Sequence, residues 1–453
     1  NGESVLSEPL EKQREFSPAY RNYALGILFV GYIVNFVDRS ILSLLLEPIK
    51  LELSLSDSQL GLLGGLAFAV FYTFLGIPIA ALADRRSRVK ILAVSMVIWS
   101  AMTALCGLAT NFWMLLLARI GVGVGEAGAS PPSHSLISDY FPIDKRATAL
   151  SIYALGIPFG TMIGSYVGGW GADERGWRYT FFLVGIPGIF VAMIIALTLR
   201  EPPRGLSDVK PAQSAAQKAA TEAAPKPEAP QVKEVLNFLW AKVSFRHLSF
   251  AAGLHAFVSY GASTWNAPFF TRIHSMSSTD LGAALALVAG VGAIGTFAGG
   301  YLSDKLSDRT GAKRWYFWVP GIATISRVPF QLVAYLYDGT TAAIASLCMV
   351  AIMGNVYLGP SFAMTQALVS LRMRAVASAI LLFVLNLIGM GLGPYFVGIL
   401  SDLFAPTFGV ESLRYALCIA VLVNLWAGVH YMLGARSMRG DLLETEAMNA
   451  KLV

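Results

Sequence analysis

Charged residues are scarce in this sequence of 453 residues: they make up only 14%, whereas hydrophobic residues make up 55%. Soluble proteins carry about 25% charged residues. Together with a mean hydropathy of +0.59, this scarcity excludes an ordinary soluble domain and predicts a protein that lies in a lipid bilayer.

Residues that hold metals or carry out catalysis are also few. The three cysteines, Cys106, Cys348 and Cys418, fall in apolar stretches without an accompanying histidine, so neither a disulfide framework nor a zinc site is encoded. The sequence has no HExxH motif, no nucleophile elbow and no pair of carboxylates near a membrane surface. We therefore expect a protein that is not an enzyme and that uses no metal and no cofactor.

The net charge of +6 comes from short loops between apolar stretches, and not from a basic face of a soluble domain. We therefore expect no binding of nucleic acid. Lys and Arg collect in loops that are separated by an even number of stretches, so these loops lie on one side of the membrane. The positive-inside rule makes that side cytoplasmic, and both termini are expected there.

Apolar runs of roughly 20 residues are long enough to cross a bilayer as helices, and the sequence contains about twelve. The expected fold is an all-α membrane protein with two bundles of six helices. The predicted starts of the runs are Tyr23, Gln59, Ile91, Phe112, Arg146, Tyr179, Arg246, Leu281, Tyr316, Thr341, Ala375 and Leu413.

A polar interruption divides these runs six and six. Its composition of Ala, Pro, Lys and Glu, without apolar periodicity, predicts a flexible linker. The distal part, Val232 to Trp240, is amphipathic, which fits either a helix on the membrane surface or a plain tether. The predicted divisions are an N-terminal cytoplasmic segment at 1–21, a first bundle at 22–200, the linker at 201–242, a second bundle at 243–435 and a C-terminal cytoplasmic tail at 436–453.

The two halves repeat each other. An acidic-then-basic turn from Asp84 to Lys90 has a counterpart that begins at Asp304 and Lys305. The fifth run begins at Lys145-Arg146 and ends at Asp173, and the eleventh begins at Met373-Arg374 and ends at Asp402. Two similar bundles that rock about a central site are typical of transporters that work by alternating access.

Particular motifs resemble one family of such transporters. Ala80 to Lys90 and Gly300 to Lys305 are similar to the loop signature of the major facilitator superfamily, and Arg119 to Glu126 is similar to its fourth-helix signature. Ala80 and Ser87 stand where the signature often has Gly, which predicts a less tight turn. Ala127 to Pro132 and Asn35 to Arg39 further resemble the Spinster family of lipid transporters, in a bacterial form.

This resemblance implies further properties. It implies a monomer in the bacterial inner membrane, surrounded by membrane lipids, and a gating role for residues of the repeated turn. The gating residues are Asp84, Arg85, Arg88 and Asp304.

Four ionisable residues lie well inside the predicted spans, where each costs at least a few kcal/mol unless it faces a partner or water. Arg119 and Glu126 are seven residues apart and share a helix face, and Asp38 or Arg39 can reach that face from the first helix. Burial raises the proton affinity of a carboxylate and a nearby arginine lowers it. Movement of an arginine would therefore couple Asp38 and Glu126 to protons; the alternative is a permanent salt bridge that only fixes helix packing.

The predicted charge network also includes His134, which titrates near neutral pH if it is accessible but fits a structural role beside a helix break equally well. In the second half, the polar groups inside the predicted spans are mainly aromatic and amide side chains. Arg327 is the one charged residue that stands out among them. A cavity that is charged on one side and aromatic on the other suits an amphipathic solute. The predicted cavity residues are Tyr260, Trp265, Asn266, Tyr357, Gln366 and Asn386.

The Spinster resemblance implies lysophospholipids or sphingoid-type lipids as substrates, with protons as the coupling ion. Arg39 or Arg119 would then hold an anionic head group. The alternative is a proton-coupled carrier of small organic anions or drug-like compounds on the same fold.

Overall fold

Every regular element that the structure describes is helical. The computed structural model describes residues 16–204, 206 and 231–450. In the N-terminal half the α-helices are α1 (Pro18–Leu53), α2 (Asp57–Gly61), α3 (Ala67–Ala83), α4 (Arg88–Cys106), α5 (Phe112–Glu126), α6 (Ser130–Tyr140), α7 (Ile143–Ala154) and α8 (Gly156–Thr198), with a π-helical turn at Leu62–Leu66.

The C-terminal half follows the same plan. Its α-helices are α9 (Val232–Ala241), α10 (Val243–His274), α11 (Ser278–Thr310), α12 (Trp315–Leu336), α13 (Thr340–Asn355), α14 (Leu358–Ala367), α15 (Arg374–Val384), α16 (Gly393–Phe408) and α17 (Ser412–Ala450). A π-helical segment lies at Leu385–Leu392, and short 3₁₀ turns lie at Leu371–Met373 and Gly409–Glu411.

Eight stretches of helix are long and apolar enough to cross a membrane. One of them, Ile143–Thr198, is interrupted at Gly176, whose φ of 83° a residue with a side chain rarely adopts. Two further long helices, α10 with 32 residues and α12 with 22, are not among the eight. An all-helical membrane fold is thus confirmed, whereas the count of twelve spans stays a prediction.

Local sequence explains where the first helices begin. The hydroxyl of Ser17 accepts a hydrogen bond from the backbone N–H of Tyr20 at 3.2 Å, and Pro18 occupies the first helical position, where its missing N–H costs nothing. Ser56 and Gln59 form a reciprocal capping box at the start of α2. These caps satisfy backbone N–H groups that the first turn of each helix leaves unpaired.

The two halves of the bundle meet at one of its ends. We call the end that carries Leu53, Asp57, His274 and Ser278 the Asp57 end, and the opposite end, which carries Glu201, the linker end. One buried apolar cluster draws residues from both halves, including Leu60 and Trp265. The halves are therefore packed together at the Asp57 end.

The two π-helical segments lie against each other where the halves meet. A Cβ on Gly65 would lie 2.8 Å from the carbonyl oxygens of Met390 and Gly391, so only glycine permits this approach. Small residues that let helix backbones come close are typical of membrane interfaces. The two halves therefore approach each other backbone to backbone at this contact.

The predicted linker is only partly described. Residues 1–15, 205 and 207–230 lie outside the described ranges, and with them most of the predicted linker and N-terminal segment. The amphipathic distal part forms α9, in which Val235 and Leu239 are fully buried in the apolar core of the C-terminal half. Each such side chain stabilises the docked helix by about 1.5–3 kcal/mol. At the C-terminus, α17 continues through the predicted tail to Ala450.

Candidate functional site

The charged residues of the first predicted cluster come together between α1, α4 and α5. Asp38, Arg119 and Glu126 are almost fully buried, with exposures of 1%, 3% and 1%. Nε of Arg39 donates to Oε2 of Glu126 at 2.5 Å, and Oδ2 of Asp38 accepts from the hydroxyl of Thr103 at 3.2 Å. The site therefore contains one direct ion pair and one hydroxyl-bound carboxylate.

Aromatic rings hold the two guanidinium groups. The Arg39 guanidinium lies 4.7 Å from the ring centre of Tyr72, 5.1 Å from that of Phe68 and 5.2 Å from that of Phe36. The Arg119 guanidinium lies 5.5 Å from Phe68 as well. Desolvated contacts of this type are worth about 2 kcal/mol. Phe68 thus lies between the two guanidinium groups and forms a cation–π contact with each of them.

The cluster leaves polar atoms without partners. Oδ1 of Asp38 and Nε of Arg119 are buried and have no hydrogen-bond partner among the described residues. Each orphaned group costs about 1–3 kcal/mol, and more when it is charged. Arg119 is nevertheless within electrostatic range of both carboxylates. The cluster therefore has unused pairing capacity, as expected of a network that exchanges partners.

His134 lies apart from this cluster. Its ring packs edge-on against Tyr153 with a centroid distance of 5.4 Å. The described contacts therefore fit the structural alternative, and a transport role for His134 stays a prediction.

The residues that were predicted to act in gating separate into two groups. Asp84 and Arg85 are exposed in the turn after α3, and Asp304 accepts a hydrogen bond from the hydroxyl of Tyr316 at 2.5 Å. Arg88 instead is 1% exposed. A gating role for all four residues stays a prediction, but only Arg88 is built into a buried network.

The Arg88 network ties helices of the N-terminal half together at the linker end. Arg88 donates to Oε1 of Glu201 at 2.7 Å, to the carbonyl of Pro202 at 2.8 Å and to the hydroxyl of Ser135 at 2.8 Å. It also forms an ion pair with Asp139. Glu201 did not stand out in the sequence, where it looked like the first residue of a flexible linker.

Glu201 provides a test of this network, because it lies outside the helices that span the membrane. Burial raises the pKa of Glu201, but hydrogen bonds from the backbone of Val89 and from Arg88 and Ser87 outweigh burial and hold its pKa below the ordinary value. A carboxylate with a lowered pKa stabilises the folded state above its unfolded pKa of about 4.3, and this contribution is lost as the pH falls through the folded value.

We expect Glu201→Gln to lower the midpoint of thermal unfolding by about 1–2 °C at pH 7. The effect is small because a third of the Glu201 side chain, 33%, is exposed. Differential scanning fluorimetry at pH 7 and near pH 3.5 measures it, and the difference between wild type and variant should shrink at the lower pH. An equal difference at both pH values would contradict a role of the ionised carboxylate.

One of the predicted cavity residues, Tyr260, lies where the two halves meet. Tyr260 is 36% exposed and within electrostatic range of Arg39 and Tyr72. Tyr357 packs on the ring of His255 with a centroid distance of 4.2 Å, and it interacts electrostatically with Tyr260. Tyr260 is thus the predicted cavity residue that reaches the charged cluster.

Other predicted cavity residues bond within the C-terminal half. Nε1 of Trp265 donates to the carbonyl of Pro394 at 2.8 Å, and Oδ1 of Asn266 accepts from the hydroxyl of Tyr335 at 2.9 Å. Their contribution to a cavity stays a prediction. The same holds for the last two, which are the half-buried Gln366 and the buried Asn386.

A second charged cluster joins the halves at the Asp57 end, and sequence reasoning missed it. Asp57, which is 2% exposed, accepts two hydrogen bonds from Arg272, at 2.7 and 2.8 Å. It also accepts from Nζ of Lys50 and from the hydroxyl of Ser401, each at 2.6 Å. Arg272 donates to Glu47 at 2.8 Å. Partners from both halves therefore converge on one buried carboxylate.

Two aspartates at repeated positions add matched contacts between the halves. The carboxylate of Asp402 accepts from the first two backbone N–H groups of α2, at 2.9 and 2.7 Å. The carboxylate of Asp173 accepts from the first two N–H groups of α11, at 3.2 and 2.7 Å. Each half thus caps a helix of the other half, where unpaired N–H groups and the helix dipole favour an anion.

This fold and this buried charge cluster define a transporter of the major facilitator superfamily. Residues 28–394 match that superfamily. The chain is 31% identical over 429 residues to an MFS-type efflux pump of Mycolicibacterium smegmatis, a match that covers 93% of this chain and 94% of the pump. The chain belongs to the major facilitator superfamily, whose members transport solutes and are not enzymes.

Within the superfamily the chain is similar to Spinster proteins. A crystal structure of a bacterial homologue of the human lysosomal transporter Spinster, in an inward-facing and unoccupied conformation, superposes with a TM-score of 0.83 at 36% identity and covers 94% of this chain and 99% of that one. A sphingosine-1-phosphate transporter of Danio rerio is 26% identical over 90% of this chain and 83% of its own length. The predicted resemblance to Spinster proteins is therefore confirmed.

Proposed function

We propose that this protein is a secondary active transporter that moves amphipathic, lipid-like substrates by proton-coupled alternating access. One observation carries the proposal: Arg39 forms an ion pair with the fully buried Glu126, beside a second buried carboxylate, Asp38, and a second buried arginine, Arg119. Buried ionisable groups of this density are rare within a membrane protein and mark ion or substrate pathways.

Proton coupling follows from the exchange of arginine partners. With Arg39 on Glu126, the carboxylate stays ionised. When an anionic substrate or a movement of the bundle draws Arg39 away, Glu126 loses its counter-charge in a buried site and takes up a proton. Asp38, with Arg119 in electrostatic range, responds in the same way. The substrate and the carboxylates thus compete for the same arginines, and binding of the substrate favours uptake of a proton by the released carboxylate.

Alternating access requires the Asp57 end to open. With both termini in the cytoplasm, this end faces away from it, and the closed contacts between Asp57 and Arg272 correspond to an inward-facing state, as in the bacterial Spinster homologue. The contacts of Asp173 and Asp402 must break in the outward-facing state. We further infer that the protein acts as a monomer in the bacterial inner membrane.

The substrate class is supported by the relatives and by the two arginines of the site, which suit an anionic head group. Spinster-type relatives include a sphingosine-1-phosphate transporter, whose substrate has an anionic head and an apolar tail. We infer a lysophospholipid or sphingoid-type substrate. The similarity to an efflux pump favours the second candidate, a carrier of small organic anions or drug-like compounds.

Flux in proteoliposomes tests the function. Purified protein is reconstituted, and the movement of a fluorescent lysophospholipid is measured with and without an imposed pH gradient. Movement that depends on the gradient supports the proposal. Transport of small amphipathic anions without lysophospholipid movement would favour the second candidate, and mass spectrometry that detected a chemically altered lipid would overturn a transport function.

Arg119→Ala is expected to weaken binding of an anionic lysophospholipid about 10-fold or more, because it removes a buried cation from the site. Arg85→Ala, which removes an exposed arginine of the turn after α3, should leave binding unchanged and is the matched control. Isothermal titration calorimetry in detergent measures both. Equal losses of affinity in the two variants would mean that the substrate does not bind at the buried cluster.

A further inference from the structure

Arg327 is a buried cation near the middle of α12, in the C-terminal half. It is 3% exposed. Nη1 donates to the hydroxyl of Ser259 at 2.8 Å and lies 3.1 Å from Nε2 of His255. Arg327 therefore contacts α10 through one hydroxyl group and one imidazole ring. Neither partner carries a negative charge.

Arg327 has no counter-ion among the residues that the structure describes. It takes part in no ion pair with them, and Nε has no hydrogen-bond partner. Nη2 likewise donates to none of them. An unpaired charge within a membrane-spanning bundle is strongly unfavourable. The cluster of the N-terminal half differs, because Asp38 and Glu126 there balance two arginines.

Whether His255 accepts a hydrogen bond from Arg327 depends on which ring nitrogen of His255 carries the hydrogen. Its Nδ1 lies 2.9 Å from the hydroxyl of Thr324, and its Nε2 lies 2.8 Å from the carbonyl oxygen of Gly354. Nε2 donates to Gly354 when it carries a hydrogen and accepts from Arg327 when it does not, but one nitrogen of a neutral ring cannot do both. The neighbours of Arg327 therefore fix the position of its guanidinium group but leave part of its hydrogen-bonding capacity unused.

The position of Arg327 matches that of the charged cluster in the other half. That cluster draws on the first, third and fourth long helices of its half, through Asp38, Thr103 and Arg119. The Arg327 cluster draws on the first, third and fourth long helices of the second half, α10, α12 and α13. The two clusters are thus related by the internal repeat.

Aromatic residues connect the two clusters. Tyr357 is within electrostatic range of Arg327 and of Tyr260, and Tyr260 is within range of Arg39. Ser259, which binds Arg327, is half-buried and adjoins the exposed Tyr260. Tyr260 and Tyr357 therefore lie between Arg39 and Arg327.

We propose that Arg327 binds the anionic group of the transported substrate, a phosphate or carboxylate, through its unpartnered Nε and Nη2 edge. That edge matches two oxygen atoms of an oxyanion in a bidentate geometry. Ser259 and His255 act as positioning residues, since they hold Nη1 and leave the other edge free. The inference deepens the proposed function and rests on it for the identity of the ligand as substrate.

The test compares two lipids that share a tail. Binding of oleoyl lysophosphatidic acid and of monooleoylglycerol to the purified full-length chain in detergent is measured by intrinsic tryptophan fluorescence, for wild type and Arg327→Gln. We expect Arg327→Gln to weaken binding of the phosphate lipid about 10- to 100-fold and to leave the neutral lipid unchanged. Arg327→Lys should be intermediate, because it keeps the charge and loses the bidentate geometry.

Inorganic phosphate alone distinguishes a lipid head group from a free anion. Competition by millimolar phosphate that Arg327→Gln abolishes supports the anion site and shows that the site also binds a free anion without a lipid tail. Retention of wild-type affinity for lysophosphatidic acid in Arg327→Gln overturns the proposal. So does a wild type that binds the two lipids equally well.

Thermal stability separates binding from a structural role. Removal of an unpaired buried cation should leave the unfolding temperature of the lipid-free protein unchanged or raise it, whereas loss of a structural arginine lowers it. Arg314→Gln, at an exposed arginine just before the same helix, is the matched control and should change neither property. A lower unfolding temperature with equal loss of affinity for both lipids overturns the proposal.

This proposal and the proposed function can fail separately. Anion binding that depends on Arg327 without any proton-driven flux would overturn the proposed function, whereas the anion site at Arg327 would be supported.

Discussion

Replacing Glu126 with glutamine is expected to abolish the dependence of transport on a pH gradient while leaving folded protein in the membrane. Glutamine has nearly the same shape and can still accept a hydrogen bond from Arg39, but it cannot exchange a proton. Flux under an imposed gradient should therefore fall to the level measured without one. Asp38→Asn should act in the same way, since the second carboxylate belongs to the same cluster.

Reconstituted flux and size-exclusion chromatography in detergent are measured side by side on the same preparations. Glu174→Gln, the same chemical change at an exposed position, is the matched control and should behave as wild type. A loss of monodisperse protein in proportion to the loss of flux would instead favour the permanent salt bridge that only fixes helix packing.

Asp57→Asn is expected to open the Asp57 end. The substitution removes the charge on which Arg272, Lys50 and Ser401 converge. Removing one partner of a buried ion pair costs about 3–5 kcal/mol, and the low end applies here because Arg272 keeps its ion pair with Glu47. If most of that cost falls on the closed state alone, the ratio of closed to open molecules drops by at least about 100-fold.

Electron paramagnetic resonance distances between spin labels at positions 174 and 337 measure this shift. Both sites are exposed at the Asp57 end, one in each half, and the three native cysteines are replaced first. Asp338→Asn is the matched control: this aspartate pairs with Arg414 at 2.9 Å within one half and is 85% exposed. An unchanged distance distribution in Asp57→Asn, with a lower unfolding temperature, would mean that Asp57 supports only its own helix.

Helix positions could be predicted closely from the sequence. The run expected at Phe112 begins there, and those expected at Tyr316 and Leu413 begin one residue earlier, at Trp315 and Ser412. The reason is physical: a backbone in lipid must satisfy its hydrogen bonds internally, so a long apolar run has to be helical. The same reasoning does not reveal that α9 docks into the C-terminal half, because that depends on what Val235 and Leu239 contact.

The sequence indicated which residues form the candidate site, but it did not indicate which of them form ion pairs with each other. The common face of Arg119 and Glu126 follows from helix geometry. The structure nevertheless pairs Glu126 with Arg39, from a different helix. Arg88, expected to act with Asp84, binds Asp139 and Glu201 instead.

The sequence by itself determined the membrane environment, the helical class, the duplication and the superfamily, because each is written in local composition or in motifs that repeat along the chain. The tertiary structure decided which charges meet. Asp57 and Arg272 are 215 residues apart and looked like ordinary residues near the ends of apolar runs. Arg327 showed in sequence as an isolated charge, and only its surroundings reveal that it lacks a counter-ion. Which charged residues form an ion pair depends on the distances between helices. Those distances are set by the packing of several helices together, which the sequence of one helix does not reveal.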